Sequence, residues 1–281
     1  MEYVILDLEF NGTYSQKLKR FINEIIEFGA VKFDDELNII DKFSMLIKPV
    51  IGKKISSRVK ELTNISSLEL SEGYSFEYVL KEFAKFMGSC VLGTWGITDI
   101  QVLIQNYEYY NGEIKIPFIT HFIDLQKYCQ ETLEYNEKQQ LGLTTAANIL
   151  NIDEALTEHH RALDDSILTF NCLKKVYNSN TISKYIQDST LDEFFEKMNF
   201  KVSYLKSINH PLIDKNSILF KCDKCNKTAK RITKWKYSCN NLTAKFKCQN
   251  CDYEFTGKLQ LKLTYDGIVI KKRIVSPKKI D

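Results

Sequence analysis

The chain has no stretch approaching the roughly 20 uncharged apolar residues that a membrane-spanning helix needs, and its first residues lack the basic-then-apolar order of a secretory signal. No membrane partner is expected, and the expected compartment is the cytoplasm. Internal repeats and low-complexity runs are also missing, so neither a repeat array nor a biased scaffold is expected. The cysteines lack the pattern of a secreted disulfide framework. Of eight, four form two CxxC pairs, while Cys90, Cys129, Cys172 and Cys239 are scattered. Reduced thiols and a metal site fit that distribution better.

What is present is enough apolar material for a core: 281 residues at 44% hydrophobic content suit one large domain, or a mid-sized domain with a small one. The net charge of +3 hides an asymmetry. Residues 217–281 carry 16 Lys and Arg against 5 Asp and Glu, whereas the preceding residues carry 23 against 31. An acidic body with a basic C-terminal segment implies a polyanionic partner for that segment.

Residues 3–10, 27–33 and 42–49 are rich in β-branched and aromatic side chains between polar breaks and predict three consecutive strands. Phe76, Val79, Leu80, Phe83 and Met87 recur at helical spacing before Gly88, which predicts a helix over 75–88. A strand is expected over 90–95, a helix over 98–112 with Thr98 and Gln101 at capping-box spacing, and a strand over 118–126. Helices are expected over 144–152 and 161–177. Together these predict a mixed α/β domain over 1–178. Residues 179–216 read as a helical linker with one helix near 189–200. Short strand-like runs at 217–225, 242–251, 258–265 and 268–275 predict a small all-β module over 217–281.

Within "VILDLEF" (4–10), Asp7 and Glu9 fall two apart on a strand that is otherwise apolar. Strand side chains alternate, so both carboxylates share a face opposite Leu6, Leu8 and Phe10. Close carboxylates on a largely buried surface repel and lose hydration, a cost that a bound cation removes; a solvated strand edge is the alternative. Asp99 would sit in a first helical turn straight after a strand, and "HHRALDDS" (159–166) adds His and Asp five apart. Five residues turn a helix by about 500°, so this pair converges only if the histidine precedes the helix. His159 with Asp164 has the same spacing as His160 with Asp165, and spacing leaves both registers open.

In this order, Asp7-x-Glu9, Asp99 and His160 with Asp165 resemble the DEDDh exonucleases, the DnaQ-like 3′-to-5′ nucleases with a ribonuclease-H-like mixed sheet flanked by helices. The likeness extends over "NEIIEFGAV" (23–31), "VKELTNI" (59–65), "GTWGITD" (93–99), "LGLTTAANILNI" (141–152) and "HHRALDDS". Within the group it is most similar to RNA-trimming enzymes of the enhanced-RNAi and KapD-like kind. The resemblance implies two Mg²⁺ or Mn²⁺ ions held by Asp7, Glu9, Asp99 and Asp165. It also implies His160 as general base, since the family's HRALDD pattern selects the second register, and release of nucleoside 5′-monophosphates. Where many relatives have Thr after the acidic pair this chain has Phe10, which packs either on the terminal nucleotide or in the core. Asn64 stands where relatives often have Gly.

Cys222, Cys225, Cys248 and Cys251 form two CxxC knuckles with 22 residues between them, suited to one tetrahedral, structural Zn²⁺. The segment resembles a zinc ribbon. Basic and aromatic residues interleave in "KRITKWKYS" (230–238), so Lys234, Trp235 and Lys236 are candidate contacts to phosphates and single-stranded bases. Trp95 is a candidate for stacking or for the core. The expected function is a metal-dependent 3′-to-5′ exonuclease on single-stranded RNA or RNA 3′ overhangs, the ribbon holding the strand while the acidic pocket trims it. The alternatives are the same chemistry on DNA in repair or proofreading, and an inactive nucleic-acid-binding protein.

Overall fold

The computed structural model of the chain describes residues 1–52, 54–135, 139–152 and 161–275, and it divides into two units, Met1–Asn199 and Phe200–Asp281. In the first unit, β1 (Tyr3–Ser15), β2 (Arg20–Phe33) and β3 (Ile39–Leu46) form an antiparallel meander. β4 (Val91–Thr94) lies parallel to β1, and β5 (His121–Asp124) lies parallel to β4. The two-residue β6 (Gln187–Asp188) closes the edge, giving the order β3-β2-β1-β4-β5-β6. Before β4 come α1 (Ser57–Thr63), α2 (Ser67–Ser71) and α3 (Phe76–Met87); α4 (Thr98–Asn111) follows it. The remaining helices are α5 (Leu125–Thr132), α6 (Leu143–Ile149), α7 (Ala162–Val176), α8 (Ser179–Ile182) and α9 (Asp192–Asn199).

β1 is covered on both faces, which is why it reads as a nearly continuous apolar run. Val4, Leu6 and Leu8 enter one core with Phe76, Val79 and Phe83 of α3 and Ile100 and Leu103 of α4. Tyr3 and Ile5 enter the other with Tyr128 of α5 and Leu168, Cys172 and Leu173 of α7. Each such side chain contributes about 1.5–3 kcal/mol on burial. Asp7 and Glu9 continue the Tyr3–Ile5 row toward the C-terminal end of the strand, where a β-bulge between Glu9 and Phe10 shifts the register against β2.

Local chemistry accounts for the places where the elements depart from expectation. The capping box at Thr98 and Gln101 does not form: α4 begins after Ile97 without a side-chain cap, and the Gln101 amide donates instead to the Met198 carbonyl at 2.9 Å, tying α4 to α9. The strand expected over 118–126 contracts to four residues, because the Asp124 carboxylate accepts from the Lys127 amide at 3.0 Å and starts α5. Segment 179–216 is divided between the units. Phe194, Phe195 and Met198 are buried in the first core, so the chain belongs to that unit through Asn199.

The second unit contains β7 (Ser203–Tyr204), β8 (Ala229–Arg231), β9 (Lys236–Ser238), β10 (Asn241–Cys248), β11 (Glu254–Thr264) and β12 (Gly267–Val275) in one antiparallel sheet. Leu242, Ala244, Phe246 and Cys248 alternate into its core with Phe255, Leu259 and Leu261. Gly257 is required there: a Cβ would lie 2.6 Å from the Phe246 ring and 3.0 Å from Phe220. Residues 217–225, expected as a strand, contribute only an isolated bridge between Lys221 and Thr228.

Candidate active site and metal centres

Asp7 lies directly opposite Gly29 in the β1–β2 ladder. A Cβ on Gly29 would sit 2.0 Å from both the Ala162 carbonyl carbon and the Leu163 nitrogen, so the first turn of α7 rests on bare β2 backbone. Next to it, the buried Glu27 carboxylate accepts from Arg161 Nε at 3.1 Å, from Arg161 Nη2 at 2.6 Å and from the Ala162 amide at 3.2 Å. A charged fork and a backbone donor thus fix where α7 begins. That placement brings Asp165, one turn into α7, down to Asp7 and Glu9, and the carboxylates of these three residues come within 4.8 Å of one another. Of the two adjacent aspartates, Asp165 joins the cluster; Asp164 does not.

Asp99 arrives from the other side. It is 7% exposed at the start of α4, just past the C-terminal end of β4, the strand that lies parallel to β1. It lies outside the 4.8 Å set, yet among neighbouring charges it is the strongest influence on Asp7.

The electrostatics follow from crowding acids into a dry place. Burial first, then the charges of Asp99, Asp165, Glu9 and Glu27, drives the Asp7 carboxyl well above its usual range. Glu9 is pushed up to about 8, chiefly by burial and then by Asp165 and Glu27, with Arg161 opposing. Asp99 is raised to about 7 by burial, although backbone hydrogen bonds at Leu8 and at Asp99 itself pull the other way. Acids held so far from their ordinary values fit a hard divalent cation, which favours their charged forms and is ligated by carboxylate oxygen.

Nothing in the sequence reading singled out Glu27, Arg161 or Gly29. Their signals are nonetheless present in "IIEFGAV" (25–31): a lone charge within a buried run demands a partner, and a glycine inside a strand marks close backbone approach. His160, expected as the base, and its neighbour His159 lie outside the described residues. Phe10, half-buried, packs against the core shared with α3 and α4. Trp95 packs in the α7-side core and donates from Nε1 to the Leu141 carbonyl at 3.1 Å, so its contacts are structural. Asn64 ends α1 at φ 56°, the left-handed conformation that glycine adopts freely and asparagine tolerates.

In the second unit the sulfurs of Cys222, Cys225, Cys248 and Cys251 lie within 4.8 Å of one another. Cys222 and Cys251 are 3.6 Å apart and Cys225 and Cys248 3.4 Å, near the separation of about 3.8 Å that tetrahedral Zn–S bonds of about 2.3 Å imply. The two knuckles share one construction. The amides of Cys222 and Cys248 donate to the carbonyls of Lys227 and Tyr253 at 2.8 and 2.9 Å, and Asn226 and Asp252 turn the chain at φ 59° and 58°. Backbone amides of Cys251 and Asn250 pull the Cys248 thiol down to about 6, toward the thiolate that a metal takes. Cys239 is exposed and is not in the cluster. Trp235 is half-buried against Phe246 and Phe220, with Arg231 over its ring at 5.7 Å. Its aromatic surface is thereby already used. Lys234 and Lys236 on either side of it are exposed.

The family model described as "Exonuclease" matches residues 4–173. The "Probable 3'-5' exonuclease KapD" of Bacillus subtilis (strain 168) is 32% identical over 184 residues, which cover 62% of this chain and 83% of KapD. The "DNA polymerase III PolC-type" of Clostridium perfringens (strain 13 / Type A) is 30% identical over 194 residues, 68% of this chain but only 12% of the polymerase. Among solved structures, the nuclease domain of 3'hExo, "a DEDDh family member, bound to rAMP", superposes with a TM-score of 0.57 at 22% identity, covering 67% of this chain and 97% of that one. Cell-death related nuclease 4 gives 0.53 at 16% identity, covering 81% and 87%. These likenesses identify the first sheet and its helices as the ribonuclease-H-like exonuclease fold. The match over 4–173 spans β1 with its acidic pair, Asp99 and all but the last turn of α7, and the chain therefore belongs to the exonuclease family, as a 3′-to-5′ exonuclease of the DnaQ-like kind.

Proposed function

We propose that the chain trims RNA from the 3′ end, releasing nucleoside 5′-monophosphates, with two Mg²⁺ or Mn²⁺ ions held by Asp7, Glu9 and Asp165 and with Asp99 beside them. The observation that carries this reading is the convergence of the three carboxylates within 4.8 Å in a setting that raises Asp7 and Glu9 far above their ordinary values. When bound, the ions would activate water and neutralise charge on the scissile phosphate. The protein's part is positional. Glu27 and Arg161 fix the start of α7, and the open backbone at Gly29 lets Asp165 reach β1. His160 is assigned by its motif as the proton acceptor. The four-cysteine cluster would hold one structural Zn²⁺ and keep the basic module folded.

RNA is preferred because the motifs from "DLEF" to "HHRALDD" resemble those of RNA trimmers. Two of the matched structures concern RNA in their own right, one described as "3'-end specific recognition of histone mRNA stem-loop by 3'-exonuclease" and the other bound to rAMP. DNA is the second reading, favoured by the likeness to PolC-type polymerases. Matched RNA and DNA strands of one sequence, offered as competitors in one reaction, decide between them. The expected result is a kcat/KM for RNA at least about tenfold higher, a difference of about 1.4 kcal/mol in transition-state binding. Equal or faster loss of DNA overturns the RNA assignment.

A further inference from the structure

The strand register of the second unit sorts its charges by face. Directly paired residues of antiparallel strands share a face, as do residues two apart along a strand. Lys236 of β9 pairs with Thr243 of β10, Thr243 with Lys258 of β11, and Lys258 with Arg273 of β12, so one row crosses four strands on one side. Lys245, two residues from Thr243, joins this side, as do Lys262, four residues from Lys258, and Lys271, two from Arg273. The opposite side holds Leu242, Phe246, Phe255 and Leu259, the buried core. Its rings are all committed there: Phe220, Trp235, Phe246 and Phe255 pack on one another.

The basic side therefore has two properties at once. It is cationic with little to neutralise it: among the described residues, none of those six side chains forms an ion pair, and the acids Asp252 and Glu254 are gathered at the far end of the sheet around Lys247. Among the described residues, the row from Lys236 to Arg273 carries no aromatic ring, and Tyr204, half-buried and paired with Lys262 of β11, is the single ring that the strand register places on this side, near one end. From Phe200 onward the chain has 19 Lys and Arg against 6 Asp and Glu, so the unit itself carries a large positive excess.

We propose that this open sheet face is a binding platform for the phosphate backbone of double-stranded nucleic acid. Three interstrand gaps make the row about 14 Å wide, and Lys258 to Lys262 adds about 13 Å along the strand. A grid of that span reaches phosphates of both strands of a duplex, whereas one strand offers a single rail. A single-stranded ligand would find at most one ring, Tyr204, and its other bases would lose the stacking that ordinarily accompanies such binding, worth about 1–3 kcal/mol per base. Duplex RNA is read largely through shape and backbone, which is the recognition that a lysine grid with a single tyrosine near one end supplies. The proposal rests on the exonuclease reading only in choosing nucleic acid over other polyanions. It deepens that reading by giving the enzyme a hold on the paired region behind a 3′ end.

The test uses the full, zinc-loaded chain carrying Asp7→Ala, so that binding is read without turnover. Affinity for a blunt RNA duplex of about 20 base pairs, for an unstructured single strand of equal length and for phosphatidylserine vesicles is measured between about 50 and 200 mM salt. Lys245→Gln/Lys258→Gln/Arg273→Gln is compared with Lys215→Gln/Lys221→Gln/Lys227→Gln, which removes the same charge from the loops before β8. The expected result is tighter binding to duplex than to single strand. The face triple should weaken duplex binding at least tenfold and flatten the log–log salt slope by about 2 to 3, while the loop triple changes it less than threefold. Equal losses in the two triples, an unaffected duplex affinity, preference for the single strand, or tighter binding to the vesicles would each overturn the platform. If the face triple loses zinc, the single variants Lys258→Gln and Arg273→Gln take its place under the same criteria. Failure of the nuclease reading is distinguishable, because it would appear as absent trimming by the unsubstituted chain and would leave these affinities readable.

Discussion

The acids of the pocket are worth more to function than to folding. Glu9 has an ordinary pKa of 4.5 and is raised to about 8, so between those values the folded chain holds a proton that the unfolded chain has released. Stability of the metal-free protein should therefore be greatest below about pH 4.5 as far as this group is concerned, and decline as pH rises toward 8. Glu9→Gln removes that penalty. It should stabilise the metal-free protein at pH 8 by about 1–3 kcal/mol and change little at pH 4.5, as read from denaturant midpoints. The same variant should lose at least about a hundredfold in nuclease activity. A destabilised Glu9→Gln at pH 8 would show that the carboxylate is satisfied without a cation. Asp165→Asn should follow the same activity pattern and Asp164→Asn should not, since only the first lies in the cluster.

At the scale of the element, the contact between α7 and β2 decides whether the site forms. Gly29→Ala would drive a methyl group into the Ala162–Leu163 backbone at 2.0 Å, and neither side can yield without lifting the helix. The expected cost is about 3 kcal/mol or more, with activity lost alongside; a cost below about 1 kcal/mol would show that the helix slides freely. Glu27→Gln, which strips the charge from a nearly buried carboxylate facing Arg161, should cost about 2–3 kcal/mol in the same assay. This contact also shows why sequence legibility stopped where it did. The strands and the long helices announced themselves by periodicity, as in Phe76 to Met87, Asp7 and Glu9 by being carboxylates inside an apolar strand, and Asp99 by its place at a helix start. The long-range partners did not. Glu27 meets Arg161 across 134 residues, and pattern rules act within a single element. Short α1, α2 and α5 escaped for a related reason: five to eight residues are too few to establish a period, and they are set by side-chain caps such as the Ser66–Glu69 capping box.

At the scale of the whole molecule, the two units differ in charge and in the donor atoms they cluster. Hard carboxylate oxygens converge in the first and soft cysteine sulfurs in the second, so the proposed ions differ in kind. Purified protein should contain one zinc per chain by elemental analysis. Cys248→Ser should lower that content and lose the unfolding transition of the basic module, while the carboxylates stay able to take Mn²⁺. Retention of full zinc by Cys248→Ser would remove the cluster from the metal site. The aromatic residues of "KRITKWKYS" illustrate how far composition alone reaches at this scale. Interleaving of bases and rings was visible in the sequence, but the register that sends Trp235 and Tyr237 inward and Lys236 outward was not.

The central claim is that the acidic pocket trims nucleic acid from the 3′ end with divalent metal. It is tested most directly by stripping the protein of Mg²⁺ and Mn²⁺ and following a 5′-labelled RNA with a 3′ overhang. The account predicts no reaction until Mn²⁺ or Mg²⁺ is restored, then a ladder that shortens from the 3′ end with nucleoside 5′-monophosphates as product, and no ladder from Asp7→Ala. Internal cleavage, shortening from the 5′ end, or an undiminished ladder from Asp7→Ala would contradict it.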